Sequence, residues 1–440
     1  LAAVARSNPH SDTLLHSHRV DKLSESDRNL ATTLVLGALR WQLHLDALIN
    51  PLLAKPNARL DVEVRLALRL GAFQLLHLDR IPAHAAIDES VELTKHAGHT
   101  FAARMVNAVL RKLAASAERL RMQSGEQLAA AAVAAHPAWL VERWTAHFGA
   151  DTTRAICLHG QTQPETIARL IDPAAESELL AFGILMAPSA LLTAARRVVS
   201  IPSQFEFTDG KIRIQDEGSQ LIGEIASFPV PNLIQDQQTI LDVCAAPGGK
   251  SLILAERNPD AHIAACEFSE QRLAALCTRL AHLGPRIQCL HADATALTFE
   301  NEFNVVLADV PCSGTGTLGR NPEIRHRFAP VDLPHHAARQ QAILAAAIRA
   351  AKPGGQIIYS TCSLEPEENE QVVSAVLDAS PNVRVAPIAV RLDAMLAHGI
   401  LTPTGAEALH TCLTPEGFLC LLPGVAHTDG FFIALLEKLH

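Results

Sequence analysis

The chain has 440 residues, of which 48% are hydrophobic and 19% are charged, and its formal net charge is −9. This length and composition predict two or three compact domains and exclude an intrinsically disordered chain. The nine cysteines include no C-x-x-C pair, which argues against a zinc site or a disulfide framework and favours a reducing compartment such as the cytoplasm. No apolar run approaches about 18 residues and no charged-then-apolar leader opens the chain, so we expect neither a membrane span nor a signal peptide.

The charge is unevenly distributed along the chain. Residues 1–135 carry 16 Lys+Arg against 13 Asp+Glu, a net charge of +3, whereas residues 136–440 carry 21 against 33, a net charge of −12. Nucleic-acid binding depends on local patches of charge, so an acidic second part does not exclude an RNA substrate. Charge alone therefore gives only a weak argument for RNA.

Residues 1–135 are predicted to form an all-α bundle. Apolar residues recur at helical spacing in Asp27–Leu39 and again in Val64–Leu76, which is typical of helices that bury one face. The order of the segments Asp27–Trp41, Leu66–Leu78, Ile87–Lys95 and Phe101–Leu113 resembles the helical RNA-binding domain of the antitermination factor NusB.

That resemblance implies an RNA-facing stripe on the last of these helices, formed by Arg104, Arg111 and Lys112. A solvated helix face is the alternative explanation for such residues.

Residues 136–213 are predicted to form a small connecting domain of α+β type. An alanine-rich helix ends near His136-Pro137, because the residue before a proline disfavours helical backbone. The segment then alternates strand-like and helix-like runs: Thr166–Ile171, Glu176–Phe182, Arg196–Ile201 and Lys211–Ile214. Asp216 follows the last of them and is predicted to cap the next helix.

Residues 214–440 are predicted to form an α/β domain of the Rossmann-like, doubly wound type, because strand-like and helix-like runs alternate from residue 239 onward. Two further strand-like runs with a turn between them predict an antiparallel hairpin on the edge of the sheet. The seven predicted strands are Thr239–Val243, Ile263–Glu267, Ile287–His291, Val305–Val310, Gln356–Ser360, Gly417–Leu422 and Gly430–Leu435.

A glycine-containing loop follows the first of these strands. Glycines allow a backbone to approach a ligand closely, and the amides of the following helix can bind an anionic group. The spacing matches neither a phosphate-binding P-loop nor the G-x-G-x-x-G fingerprint, so a nucleotide-like or carboxylate-bearing ligand is predicted. The loop comprises Cys244, Ala245, Ala246, Pro247, Gly248, Gly249 and Lys250.

Acidic residues end or follow the next two strands. Glu267 stands 24 residues after Val243, where a carboxylate can accept hydrogen bonds from two ribose hydroxyls. Asp293 follows the third strand and can accept a hydrogen bond from an adenine amino group. A helix cap is the alternative role for a single carboxylate at such a position.

Two cysteines follow the fourth and fifth strands. Cys312 stands in Asp309-Val-Pro-Cys-Ser-Gly-Thr-Gly and Cys362 in Ser360-Thr-Cys-Ser-Leu-Glu-Pro-Glu-Glu-Asn-Glu. Ligands of open α/β sheets bind outside the carboxyl ends of the strands, so both thiols are expected to face one crevice.

Together with Cys244-Ala-Ala-Pro-Gly-Gly-Lys, these motifs resemble the signatures of the S-adenosylmethionine-dependent RNA cytosine carbon-5 methyltransferases. The resemblance covers residues 214–440, and with the NusB-like head the whole chain is similar to the bacterial members that act on 16S ribosomal RNA. Many relatives carry Asp at the position of Glu267, and the longer carboxylate is expected to keep the ribose contact.

The resemblance implies a role for each residue at the crevice. Cys362 would be the nucleophile that adds to carbon 6 of cytosine, and Cys312 would help to remove the carbon-5 proton and release the product. Asp309 would hydrogen-bond the cytosine edge at ring nitrogen 3 and would also border S-adenosylmethionine. Lys250 would neutralise either the carboxylate of S-adenosylmethionine or an RNA phosphate.

The resemblance also implies the partners: RNA, in particular 16S ribosomal RNA, with no DNA, no membrane and no metal, for an enzyme that acts as a monomer. In a DNA cytosine methyltransferase the Cys312 position would be the nucleophile, and the Thr361-Cys362-Ser363 loop would have no function. A methyltransferase acting on tRNA and a non-catalytic, NusB-like RNA-binding factor are the two remaining alternatives. The intact cysteines and acidic residues argue against the second of them.

Overall fold

The computed structural model describes the whole chain except residues 8–10, 16, 18, 19, 21, 57, 58, 123, 203–209, 229–237, 426 and 427. It divides into two compact units. The first unit comprises residues 1–164 together with 318–328, and the second comprises residues 165–317 together with 329–440.

The first unit is helical, as the sequence predicts. Its core is formed by apolar side chains at helical spacing, including the fully buried Leu45, Leu68 and Leu110. Its helices up to residue 164 are α1 (Ala2–Ser7), α2 (Ser11–Leu15), α3 (Glu25–Arg40), α4 (Gln42–Ile49), α5 (Val62–His77), α6 (Ala83–His96), α7 (Ala103–Arg121), α8 (Gly125–Ala134), α9 (Ala138–Phe148) and α10 (Ala150–Gln161).

Arg104, Arg111 and Lys112 are exposed on α7. The Arg111 Nε donates a hydrogen bond to Asn107 Oδ1 one helical turn away, at 3.0 Å. The structure therefore leaves this basic stripe accessible, and its contact with RNA stays a prediction.

Helices α9 and α10 belong to the helical unit, although they fall in the segment 136–213 that the sequence assigns to a connecting domain. Leu140 and Trp144 of α9 are almost completely buried, as are Ile156 and Cys157 of α10. A helix boundary does lie at His136-Pro137, because α8 ends at Ala134. The change from helices to strands comes about 30 residues later.

Residues 318–328 also belong to the helical unit, and Arg325 accounts for their attachment. The side chain of Arg325 is fully buried, and its two terminal nitrogens donate to the carbonyl oxygens of Arg40 and Gly160, each at 3.0 Å. In return, Arg40 Nη2 donates to the carbonyl oxygen of Gly319 at 2.6 Å. The chain thus enters this unit directly after the loop that carries Cys312. The helix of this segment is α11 (Ile324–Arg327).

The second unit contains a small antiparallel sheet with strand order β2-β3-β1-β4. Two buried arginines of this sheet, Arg169 and Arg213, form ion pairs with Glu224 and Glu256 at 2.6–2.8 Å. The elements are β1 (Ile167–Leu170), α12 (Glu176–Ala181), β2 (Leu185–Pro188), β3 (Ala195–Ser200) and β4 (Ile212–Ile214).

The large sheet of the second unit has the predicted Rossmann-like topology. Its strands follow the order β10-β12-β9-β8-β5-β6-β7, with β11 paired to β12. Strands β5 to β9 are parallel, and β12 is antiparallel to β9. The strands are β5 (Thr239–Asp242), β6 (His262–Glu267), β7 (Ile287–His291), β8 (Phe303–Asp309), β9 (Ala351–Thr361), β10 (Val383–Val385), β11 (Leu419–Leu421) and β12 (Phe431–Lys438).

The structure adds β10 to the seven strands that the sequence predicts. This strand has three residues, too few to show an alternating pattern, and it lies at the edge, so that β12 is inside the sheet. In β8, every residue from Phe303 to Ala308 is buried, as expected of a strand covered by helices on both faces.

The helices of the second unit cover the sheet, and three of those given below begin at a side-chain cap, which is Asp216, Ser269 or Thr402. Asp216 accepts hydrogen bonds from the backbone amides of Gly218 and Ser219, which confirms its predicted role as a helix cap. None of the described helices combines the length and the apolar content that a membrane crossing requires. The helices are α13 (Glu217–Ser227), α14 (Gly249–Arg257), α15 (Glu270–Leu280), α16 (Leu333–Ala350), α17 (Glu370–Asp378), α18 (Ile388–Ala397) and α19 (Pro403–Thr411).

We predict that Arg325→Ala destabilises the helical unit by about 2–4 kcal/mol, because it leaves buried carbonyl oxygens without a donor. All three tryptophans, Trp41, Trp139 and Trp144, lie in this unit, so urea unfolding followed by tryptophan fluorescence reports on it selectively. Arg119→Ala, at an exposed position of α7, is the control and should change stability by less than about 0.5 kcal/mol. Equal stability of the two variants would contradict the anchoring role of Arg325.

Candidate active site

The glycine-containing loop turns between the carboxyl end of β5 and the start of α14. Gly248 has φ +96°, a left-handed backbone that favours glycine, and a Cβ there would lie 2.9 Å from Leu276 Cδ1. Two arginines of α15 hold the loop from outside: Arg272 Nη2 donates to Ala246 O at 2.8 Å and Arg279 Nη1 to Pro247 O at 3.0 Å. The loop is thereby fixed with the first amides of α14 at its end.

Asp242, the last residue of β5, has one carboxylate oxygen without a partner. Ser251 Oγ donates to its Oδ2 at 2.7 Å, while Oδ1 is buried and has no hydrogen-bond partner among the described residues. Burial raises the pKa of Asp242 to about 6, and the nearby charge of Asp309 acts in the same direction. A buried carboxylate oxygen without a partner is suited to accept a hydrogen bond from a cationic group of a ligand.

Lys250 and Asp309 form an ion pair at the end of β8. Lys250 Nζ lies 2.7 Å from Asp309 Oδ2, and Ser360 Oγ donates to Asp309 Oδ1 at 2.7 Å. Burial disfavours the charge of Lys250, but Asp309, Asp242 and Cys362 outweigh it and raise the lysine pKa. The ammonium is therefore held charged beside the crevice.

Two adjacent cavities open at the carboxyl ends of these strands. The first, of about 250 Å³, includes Asp242, Lys250 and Asp309 in its wall and is called the lysine cavity. The second, of about 310 Å³, contains both Cys312 and Cys362 and is called the thiol cavity. Both walls include Cys244, Ala246 and Asp309, so the cavities are neighbouring parts of one cleft.

The two thiols lie in contact with each other in the wall of the thiol cavity, so both face one crevice as the sequence predicts. Cys312 Sγ and Cys362 Sγ are 3.3 Å apart, and the backbone amide of Gly316 donates to the carbonyl oxygen of Cys362 at 2.9 Å. The hydrogen bond between Cys312 and Cys362 raises the pKa of Cys312 well above its usual value, and burial adds to this effect. When the two cysteines hold a single proton between them, this proton is therefore on Cys312.

Three other cysteines lie in surroundings of a different kind. Burial raises the pKa values of Cys157, Cys266 and Cys420 to about 12, and none of them lines either cavity. Buried thiols of this type are unreactive. Their environments indicate that these three cysteines serve packing.

The two predicted acidic residues differ in their placement. Glu267 lines the thiol cavity and is nearly buried; its Oε1 accepts from the amide of Ser269 at 2.8 Å. Asp293 is exposed and accepts from the amide and the hydroxyl of Thr295, which lowers its pKa. Ala292 and Ala294 on either side of it line the cavity, whereas the Asp293 side chain is not part of that wall.

The structure also brings residues to the site that the sequence did not single out. Phe268 and Arg272 line the thiol cavity next to Glu267, and Arg339 reaches it from the long helix α16. Glu368 is buried behind the two cysteine loops. Phe268 stands directly after a predicted strand end, and that position was the available signal for it, whereas Arg339 lies in a helix without any motif.

Family models match both parts of the chain. Residues 4–115 match the model of the NusB family, and residues 232–437 match the model described as 16S rRNA methyltransferase RsmB/F. The probable ribosomal RNA small subunit methyltransferase B of Bacillus subtilis is 31% identical over 456 residues, which cover 100% of this chain and 97% of that protein. The ribosomal RNA small subunit methyltransferase B of Pseudomonas putida is 31% identical, over 96% of this chain and 93% of that protein.

The fold also has a solved counterpart. The crystal structure of the protein PH0851 superposes with a TM-score of 0.72 and 24% identity, covering 95% of this chain and 92% of that one.

In the part of the chain that the structure describes, no cluster of three or more His, Cys, Asp or Glu side chains is arranged to hold a metal ion.

Proposed function

Because the chain belongs to the RsmB/F family of 16S rRNA methyltransferases, which use S-adenosylmethionine, we propose that it methylates carbon 5 of a cytosine in 16S ribosomal RNA through a covalent bond from Cys362 to carbon 6. The observation that carries this proposal is the pair of opposed thiols, 3.3 Å apart, in one cavity with Asp309. A single thiol would suffice for nucleophilic attack, and the second meets the separate demand of product release.

The cleft suits S-adenosylmethionine, which supplies an electrophilic methyl group. Glu267 offers a carboxylate for the ribose hydroxyls, and the exposed ring of Phe268 offers a face for the adenine. The unpartnered Oδ1 of Asp242 suits the α-amino group of the methionine part. The amides at the start of α14, together with Lys250, suit its carboxylate.

Cys362 acts first on the cytosine. Its thiolate forms a bond to carbon 6, and the electron pair of the ring double bond moves toward nitrogen 3. Asp309 hydrogen-bonds nitrogen 3 and passes to it the proton that it accepts from Lys250, since the two side chains are 2.7 Å apart. Carbon 5 then carries enough electron density to bond the methyl group.

Cys312 completes the reaction. Its thiol releases its own proton to water and then accepts the proton of carbon 5; the electron pair of that bond re-forms the ring double bond and expels Cys362 as a thiolate. As the double bond re-forms, nitrogen 3 gives its proton back through Asp309 to Lys250. The two cysteines return to one thiol and one thiolate, and each turnover releases one proton. The raised pKa of Cys312 fits a group that ends the cycle protonated.

The basic stripe of α7 supports an RNA partner. Arg104, Arg111 and Lys112 are accessible for phosphate contacts, which supply affinity without sequence specificity. The target base must leave its stack to reach a recessed thiol, which favours a cytosine in a loop or at a helix end of folded RNA. With ribosomal RNA as its substrate, the enzyme would act in the cytoplasm. A tRNA substrate is the second candidate, because the cleft itself does not distinguish the two RNAs.

We predict that Glu267→Ala weakens binding of S-adenosylmethionine about tenfold or more, since a hydrogen bond to a charged group contributes roughly 1.5–3 kcal/mol. Isothermal titration calorimetry measures this affinity without RNA. Glu270→Ala removes an exposed carboxylate three residues further along the chain and should leave the affinity unchanged. An unaltered affinity of the Glu267 variant would refute the ribose contact.

We also predict that the two cysteine variants fail in different ways. Cys362→Ala should abolish both methylation and covalent RNA binding, because no nucleophile remains to activate the ring. Cys312→Ala should accumulate a protein–RNA adduct, because the ring is still attacked and methylated but its carbon-5 proton is not removed.

Denaturing gels of each variant with 16S RNA and S-adenosylmethionine should show a slowly migrating band for Cys312→Ala alone. If the band appeared with Cys362→Ala instead, Cys312 would be the nucleophile and the two roles would be exchanged. Parallel reactions with tRNA and DNA separate the proposed substrate from its alternatives.

A further inference from the structure

Glu368 is a fully buried carboxylate that contacts the residue following each active-site cysteine. Its Oε1 accepts from the backbone amide of Ser313 at 2.8 Å, and its Oε2 accepts from the Ser313 hydroxyl. The same Oε2 accepts from the hydroxyl of Ser363 at 2.5 Å. Ser313 follows Cys312 and Ser363 follows Cys362, so one side chain connects the two loops.

Further hydrogen bonds fix Glu368 itself. Gln340 Nε2 of α16 donates to Glu368 Oε1 at 3.0 Å and also to the carbonyl oxygen of Pro311 at 2.9 Å. The hydroxyl of Tyr359, from β9, donates to the backbone carbonyl oxygen of Glu368 at 2.5 Å. The carboxylate of Glu368 is thus attached to a helix and its backbone to a central strand, and both are rigid elements.

We propose that Glu368 is a positioning residue, which holds the thiols of Cys312 and Cys362 opposite each other by binding the serine after each cysteine. The hydrogen bonds of Glu368 support its role in holding the two loops. The importance of this role for catalysis rests on the proposed function. Glu368 lines neither cavity, so it acts through the two loops and not on a ligand. A displacement of about 1 Å between reacting groups is enough to impair a reaction severely.

The charge of Glu368 also acts on Cys312. It is one of the causes that raise the pKa of Cys312, after the hydrogen bond with Cys362 and burial. Tyr359 is another titratable group beside this thiol, in addition to Cys362, while His336 Nδ1 lies 3.9 Å from Glu368 Oε1 and Arg339 lines the same cavity. Replacing Glu368 by a neutral residue should therefore lower the pKa of Cys312.

Two substitutions separate geometry from charge. Glu368→Gln keeps an oxygen for the Ser313 amide and Gln340, and its new amide group can donate to the two serine hydroxyl oxygens. Glu368→Ala removes all of these contacts. Glu367→Gln removes the neighbouring, partly exposed carboxylate and is the control for net charge.

The first measurement reads the positions of the thiols without RNA or S-adenosylmethionine. Diamide takes two electrons and two protons from a pair of thiols, becomes a hydrazine and leaves a disulfide, which mass spectrometry detects between Cys312 and Cys362. Glu368→Ala should slow this reaction roughly tenfold or more, while Glu368→Gln and Glu367→Gln stay within about twofold of the unmodified protein. A folded Glu368→Ala protein that reacts at the unmodified rate would overturn the proposal.

If Glu368→Ala does not fold, Ser363→Ala removes the contact on the Cys362 side alone. It should slow disulfide formation several-fold, and an unchanged rate would likewise overturn the proposal. Because neither assay involves methyl transfer, a failure here is distinguishable from a failure of the proposed function.

The second measurement separates positioning from a purely structural role. In a Cys362→Ala background, the rate of Cys312 alkylation by iodoacetamide is followed against pH by peptide mass spectrometry. Glu368→Gln should move the midpoint to lower pH, and Glu367→Gln should not. In methylation assays, Glu368→Ala should lower the rate constant while the affinity for S-adenosylmethionine stays within about twofold. An unmoved midpoint together with an unchanged rate constant would contradict the proposal.

Discussion

The site depends on one constraint of the parallel sheet, which is that β8 and β9 are neighbours in register. Asp309 and Ser360 are paired across these strands, and the loops that follow the two strands leave the sheet at the same edge. Cys312 follows Asp309 by three residues and Cys362 follows Ser360 by two. The pairing of two strands thus brings together thiols that are 50 residues apart. It also places the Ser360 hydroxyl where it hydrogen-bonds the Asp309 carboxylate, which forms the ion pair with Lys250.

The parts of this arrangement that could be predicted from the sequence are those encoded by local pattern. Buried parallel strands appear as short apolar runs, and the loops after them contain the glycines, acids and cysteines that bind ligands. The residue types at those loop positions, in long matched motifs, were enough to identify the cleft. The helical head was equally evident from apolar spacing, because a helix that buries one face repeats with its own period.

What the sequence did not reveal depends on distant contacts. Arg325 stands 13 residues after Cys312, but its guanidinium lies in the helical unit, where it donates to the carbonyl oxygens of Arg40 and Gly160. Glu368 is one of several acidic residues in a row, and only folding selects it as the carboxylate that binds both serine loops. The assignment of α9 and α10 required knowledge of which core their apolar faces join. None of these distant contacts is indicated by a hydrophobic period or a turn motif in the local sequence.

The central claim is that Cys362 forms the bond to the target cytosine, and trapping with 5-fluorocytidine tests it most directly in the unmodified protein. Fluorine at carbon 5 cannot be removed as a proton, so the reaction should stop after methyl transfer with the RNA still attached. Cys312 and Cys362 lie on different tryptic peptides, since arginines such as Arg320 separate them. We expect mass spectrometry to find the methylated fluoronucleotide on the peptide of Cys362, whereas attachment to the peptide of Cys312, or to neither, would contradict the account.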